Sequence, residues 1–160
     1  MESLAAFATA LQESGLGQWA RGSASAYPAA NLLHLLGFVL IVGGIGLLDL
    51  RIIGLFRALP LRALSRAVTP MAIAGIGLMG ASGIVLFAAD AATLVVAPLF
   101  QWKQALVALA LANALGFRLL WNRALADGRA EPPAGARIMA LASLLLWLAV
   151  AAAGRLIAYA

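Results

Sequence analysis

A chain of 160 residues that is 64% hydrophobic and only 11% charged carries more apolar surface than a soluble domain of its size can hide. Its solvent must be lipid, which excludes a soluble enzyme; the absence of cysteine removes disulfide frameworks and thiolate metal sites. The formal charge of +5 rests on ten arginines and one lysine at the ends of apolar runs, with no basic stripe of interleaved aromatics, so it points to lipid phosphates and away from nucleic acid.

Residues 1–27 do not read as a secretory signal. Glu2 stands where a basic region is needed, and Gln12, Glu13 and Gln18 dilute the apolar content. Leu4, Phe7, Ala8, Leu11 and Trp19 predict the greasy side of a helix lying on the outer membrane surface. Residues 28–160 then form a transmembrane domain with four spans, each near the roughly 20 apolar residues that a bilayer needs. The spans are expected at about 28–48, 69–89, 99–121 and 138–158. Pro28, Pro70 and Pro98 are expected at or just before the first turn of spans one to three, where a missing N–H is harmless. Pro132-Pro133 makes a stiff connector before the fourth. The fold class is therefore all-α: a four-helix membrane bundle with a short amphipathic surface helix.

Short loops set orientation through their positive charge. Arg51, Arg57, Arg62 and Arg66 cluster between spans one and two, and Arg123, Arg129 and Arg137 between spans three and four. The intervening loop holds only Asp90. Both basic loops are expected inside, with both termini outside. Glycines mark the helix contacts: Gly37, Gly43, Gly44 and Gly46 in span one, and Gly75, Gly77, Gly80 and Gly83 with Ser82 in span two. Small residues around most of span two predict a central helix, or one facing a flat cofactor.

The only histidine, His34, lies inside span one. An ionisable residue at membrane depth marks a functional site by default. His34 is expected roughly 9 Å below the outer end of its span at 1.5 Å per residue, with Tyr27, Asn31 and Phe38 on the same face. Orientation brings Lys103, Gln101 and Gln104 of span three, Arg155 and Tyr159 of span four, and Asp90 to a similar depth. Three readings follow. In one, His34 is the axial ligand of a b-type haem whose propionates pair with Lys103 and Arg155. The second ligand is then Met79, or a second copy of His34 in a homodimer, or absent. In another, His34 donates to one carbonyl of a quinone while Asp90 or Lys103 handles protons, beside a redox group in a partner subunit. In the third, His34 simply bonds Asn31 or a neighbouring helix, and Lys103 and Arg155 snorkel to headgroups.

At the inner end, Asp49 and Arg51 stand two residues apart and cannot face each other on a helix. Asp49 is expected to pair with an arginine such as Arg118, and Arg51 with lipid phosphate. Asn113 needs a partner on another helix. Nucleophile-elbow and phosphate-loop motifs are absent, and Gly75-Ile-Gly77-Leu-Met-Gly80 spells a dinucleotide fingerprint without the preceding strand that would give it meaning.

The segments Ala26-Tyr-Pro-Ala-Ala-Asn31-Leu-Leu-His34-Leu-Leu-Gly37, Asp49-Leu-Arg51 and Gly154-Arg155-Leu-Ile-Ala-Tyr159 resemble a bacterial family of small four-span inner-membrane proteins without assigned function. More distantly, the chain is similar to copper-resistance-D-like and cytochrome-b561-like membrane proteins. That resemblance implies a bacterial inner-membrane scaffold with periplasmic termini, in which helix histidines hold haem or metal. In the proteins it resembles, a second histidine often stands in span three about where Phe117-Arg118 stands here, so by that resemblance this chain departs from a bis-histidine pattern. Taken together, the expectation is a redox-associated subunit binding haem b or quinone through His34. The alternative is a non-catalytic accessory subunit packed against a larger membrane complex. Partners are expected to be lipids and either further copies of the chain or such a complex.

Overall fold

The computed structural model describes residues 2–126, 132–157 and 159. Among the described residues it is all-helical, in seven elements: α1 (Glu2–Glu13), α2 (Gly15–Gly22), α3 (Ala26–Ile53), α4 (Leu61–Ala89), α5 (Ala91–Val96), α6 (Pro98–Ala126) and α7 (Ala134–Ile157). Helices α3, α4, α6 and α7 are each long and apolar enough to cross a membrane. The chain is an integral membrane protein built as a four-span bundle. The side chain of Arg123 and the whole of Arg129 lie outside the described residues.

The helices overrun the expected spans at the α3–α4 end. Helix α3 runs past Asp49 and Arg51 to Ile53, and α4 begins at Leu61. Pro70, expected at the start of span two, therefore lies inside α4. Apolar composition locates the lipid-crossing stretch, but a helix continues wherever its backbone bonds are satisfied, so hydropathy underestimates helix length. A short helix, α5, occupies the connection that carries Asp90.

Helix α3 lies between α4 and α7; α6 packs on α7 and touches α4 only lightly. Among the described residues, α4 and α7 make no close backbone contact, so α4 is not the central helix that its glycines suggested. The α3–α4 contact uses only some of them. A Cβ on Gly37 would stand 2.8 Å from the Gly75 carbonyl oxygen, and one on Gly75 would stand 2.7 Å from the Gly37 carbonyl oxygen. The two backbones thus touch where both side chains are absent. Gly44 repeats the arrangement against the Val68 carbonyl at 3.2 Å. Gly77 and Gly80 have no neighbour within 4 Å and lie on the open face of α4.

Two apolar clusters fill the bundle. Ile41, Ala110, Trp147 and Val150 meet in one, with Met79 packed against it. Leu48, Ile52, Val68, Ala136 and Ala140 form the other, backed by Phe117 and Trp121. Asn113 donates from Nδ2 to the Met139 carbonyl at 3.1 Å, so α7 supplies the partner expected for it. Trp121 donates from Nε1 to the Met139 sulfur at 3.3 Å.

Helices α1 and α2 are hooked to the α4–α5 corner. Ala8 is buried with Ala91 and Val95. The Gln12 side chain accepts from the Ala92 N–H at 2.8 Å, and Arg21 donates to the Ala89 carbonyl at 3.1 Å. Leu4, Phe7 and Trp19 point outward and more than half of each is exposed. The segment is thus a docked helical pair with an outward apolar face. Gly17 makes the docking possible: a Cβ there would collide with the Gln12 carbonyl and stand 2.9 Å from the Ala88 carbonyl oxygen. Gly17→Leu is expected to release α1 and α2 while the four long helices persist. Limited proteolysis of the membrane-embedded protein checks this, as accelerated cleavage within residues 2–22 at unchanged helical circular dichroism from the bundle.

Candidate functional site

His34 lies eight residues into α3, about 12 Å along the axis from the first residue at 1.5 Å per residue. It is half-buried and turned toward α4. There the imidazole Nδ1 lies 3.1 Å from the Ser82 hydroxyl oxygen. Ser82 is 4% exposed, and its hydroxyl donates to the Leu78 carbonyl at 2.6 Å, one helical turn back.

A serine hydroxyl has a single proton. Because that proton goes to the Leu78 carbonyl, the Ser82 oxygen can only accept from His34. In the neutral ring the proton therefore sits on Nδ1, and Nε2 keeps its lone pair. A second hydrogen-bond partner commonly fixes the tautomer of a working histidine in this way. Gly83 completes the seat: a Cβ there would stand 3.3 Å from the imidazole Cε1, so any side chain would crowd the ring. The Met79 backbone carbonyl also interacts with the ring.

The third helix to reach the site is α6. Lys103 lies close enough to act electrostatically on His34. Its chain runs beside α7, where a Cβ on Gly154 would meet both Cε and Nζ at 3.5 Å. Among the described residues no acidic side chain pairs with this ammonium. The half-buried centre thus offers one fixed lone pair and one unneutralised donor.

Of the residues singled out by sequence, Lys103 is the one whose charge reaches His34, while Ser82 and Gly83 make the contacts with its ring. Met79 contributes its carbonyl, while its side chain packs against Gly37 in the core. Arg155 is exposed; it bonds the Tyr159 hydroxyl one turn on and lies over that ring at 4.7 Å. Asn31 and Tyr27 are exposed along α3, and Asp90 lies at the surface between α4 and α5. Gln101 donates to the Val95 carbonyl at 2.9 Å. Among the described residues no three His, Cys, Asp or Glu side chains gather as a metal site. Ser82 is visible in the sequence only as one more small residue in Gly80-Ala-Ser82-Gly83. Its signal is its depth: it lies seven residues from the end of α4, as His34 lies eight from the start of the antiparallel α3.

The other buried polar pair is unrelated to this centre. Asp49 is 6% exposed; its carboxyl bonds the Ser143 hydroxyl of α7, and Oδ2 has no hydrogen-bond partner. Arg118, expected beside it, is exposed on α6. Arg51 is likewise buried, and its Nε donates to the Leu59 carbonyl at 2.8 Å, closing the α3–α4 link. Each takes a neutral oxygen partner, the Ser143 hydroxyl for Asp49 and the Leu59 carbonyl for Arg51.

Comparison with protein-family models, curated proteins and solved structures returned no match.

Proposed function

We propose that this protein is a redox-associated subunit of a bacterial inner membrane, with both termini periplasmic, that holds a quinone-type headgroup at His34. The observation that carries the reading is the Ser82 clasp, which fixes an imidazole lone pair within electrostatic reach of Lys103. With its ring proton given to Ser82, His34 accepts here and cannot donate to a quinone carbonyl as the sequence suggested: the hydroxyl of the reduced headgroup donates to the lone pair, and a carbonyl of the oxidised headgroup accepts from the ammonium. Electron transfer to or from the headgroup then belongs to a redox group of a partner subunit.

The haem reading uses the same imidazole as axial ligand and Lys103 for a propionate. It is the less favoured because the Met79 side chain is committed to the core against Gly37. The accessory-subunit alternative draws support from the open α4 face at Gly77 and Gly80, where another helix can approach closely.

Solvent extraction of the purified protein, with an absorption spectrum before and after reduction, tests these readings. Quinone recovered in stoichiometric amount is the expected result. A Soret band with sharpened reduced bands transfers the site to haem. A colourless, quinone-free protein that still purifies with a stoichiometric partner sinks the redox reading and leaves the accessory role.

A further inference from the structure

At the opposite end of the bundle from His34, the guanidinium groups of Arg57, Arg62 and Arg66 are exposed on and beside the α3–α4 link, in addition to Arg118 on α6. Arg57 belongs to the α3–α4 link, and Arg62 and Arg66 lie one turn apart on α4. Like charges at that spacing repel along a helix face. Among the described residues the only acidic side chain at this end is Asp49, which is buried against Ser143 on α7. The other described carboxylates, Glu2, Glu13 and Asp90, belong to the far end.

The same link presents apolar side chains. Leu55 is 49% exposed, Phe56 54% and Leu59 38%. Nor is the link a loose tether. Arg51 holds the Leu59 carbonyl, the Leu55 N–H bonds the Leu50 carbonyl at 2.9 Å, and the Leu59 N–H bonds the Phe56 carbonyl at 2.9 Å. Arg57 curls back through Nε to the Gly54 carbonyl at 3.0 Å, which leaves its terminal nitrogens for another acceptor.

We infer that the α3–α4 link and the first turns of α4 form a binding surface for anionic phospholipid headgroups, with Arg57, Arg62 and Arg66 on the phosphates and Leu55, Phe56 and Leu59 in the acyl boundary. Charge complementarity selects this occupant. Exposed arginines are attracted to an anionic leaflet, and apolar side chains interleaved with them insert where headgroup meets chain. Guanidinium groups also match phosphate oxygens in a two-pronged geometry that ammonium groups lack. The inference is independent of the His34 site.

The test is native mass spectrometry of the full chain after reconstitution in equal phosphatidylglycerol and phosphatidylcholine. The wild type is expected to retain phosphatidylglycerol preferentially, and Arg57→Gln/Arg62→Gln/Arg66→Gln to lose that preference several-fold at unchanged helical circular dichroism. Arg155→Gln, at the far end, is expected to leave it intact. No headgroup preference in the wild type overturns the inference, as does a preference that survives the triple substitution. If the triple variant fails to fold, the three single Gln variants are read instead, each expected to weaken the preference. Displacement of the bound lipid by millimolar inorganic phosphate would also overturn it, because the surface would then be a free-anion site.

Discussion

Gly75→Leu is expected to break the α3–α4 contact and cause the largest stability loss of any single glycine substitution in the four spans. The reason is reciprocal. Gly75 and Gly37 each place a bare Cα against the other's carbonyl oxygen, at 2.7 and 2.8 Å from where a Cβ would stand. Those obstacles are backbone atoms, which cannot swing aside as a side-chain end does. A Cβ on Gly75 would also press on Ile41, a 1% exposed member of the central cluster, at 2.9 Å. Overpacking a tight core costs about 1–3 kcal/mol even when neighbours can shift, and here two helices must part. Lipid offers little hydrophobic drive to bring them back, because acyl chains solvate leucine as well as a core does. Gly77→Leu is the matched control: two residues away on the same helix, with nothing within 4 Å, it is expected to leave stability unchanged. Thermal aggregation in detergent, followed by size-exclusion chromatography, separates the two. Equal stability of both variants would show that the Gly37–Gly75 crossing does not hold the helices together.

His34→Ala is expected to remove bound quinone almost completely while leaving the bundle folded. His34 is only half-buried and belongs to neither apolar cluster, so its loss opens no large core cavity. What disappears is the one lone pair aimed by Ser82. A loss of at least tenfold in retained ligand is expected, the factor that about 1.4 kcal/mol represents. Ser82→Ala keeps the imidazole but frees its tautomer, and is expected to weaken retention by less, in line with the ~1 kcal/mol of a single hydrogen bond. Lys103→Met keeps the apolar stem beside Gly154 and removes the donor. Ligand retention ordered as wild type, then Ser82→Ala, then His34→Ala supports the clasp. Full quinone content in His34→Ala would dispose of it.

Part of this site is legible in the amino-acid sequence. A lone histidine in an apolar run identifies itself by the cost of putting it there, and Lys103 follows from span orientation and depth. Arg155 does not join them for a local reason: it bonds and stacks on Tyr159, one turn on along its own helix. Ser82 is hidden because a serine among glycines reads as packing, and only the antiparallel register of α3 and α4 sets it opposite His34. Asp49 misleads in a similar way. Charge alone suggests an arginine partner, whereas the helix packed against it offers the Ser143 hydroxyl.

The order of residues by itself determined that this chain is solvated by lipid, that it is helical, and that it has four membrane-crossing spans. Each follows from a bulk requirement: apolar area beyond what a small core can bury, and backbone groups that must be satisfied internally where no water reaches. The tertiary structure alone decided which glycines touch and which lie open, that α4 is lateral, and that α1 and α2 are docked to a corner of the bundle. It also decided that Ser82 presents the lone pair of His34. Those facts depend on rotation about each helix axis, and an apolar helix with small residues on most sides carries almost no preference for one rotation over another until its neighbours meet it.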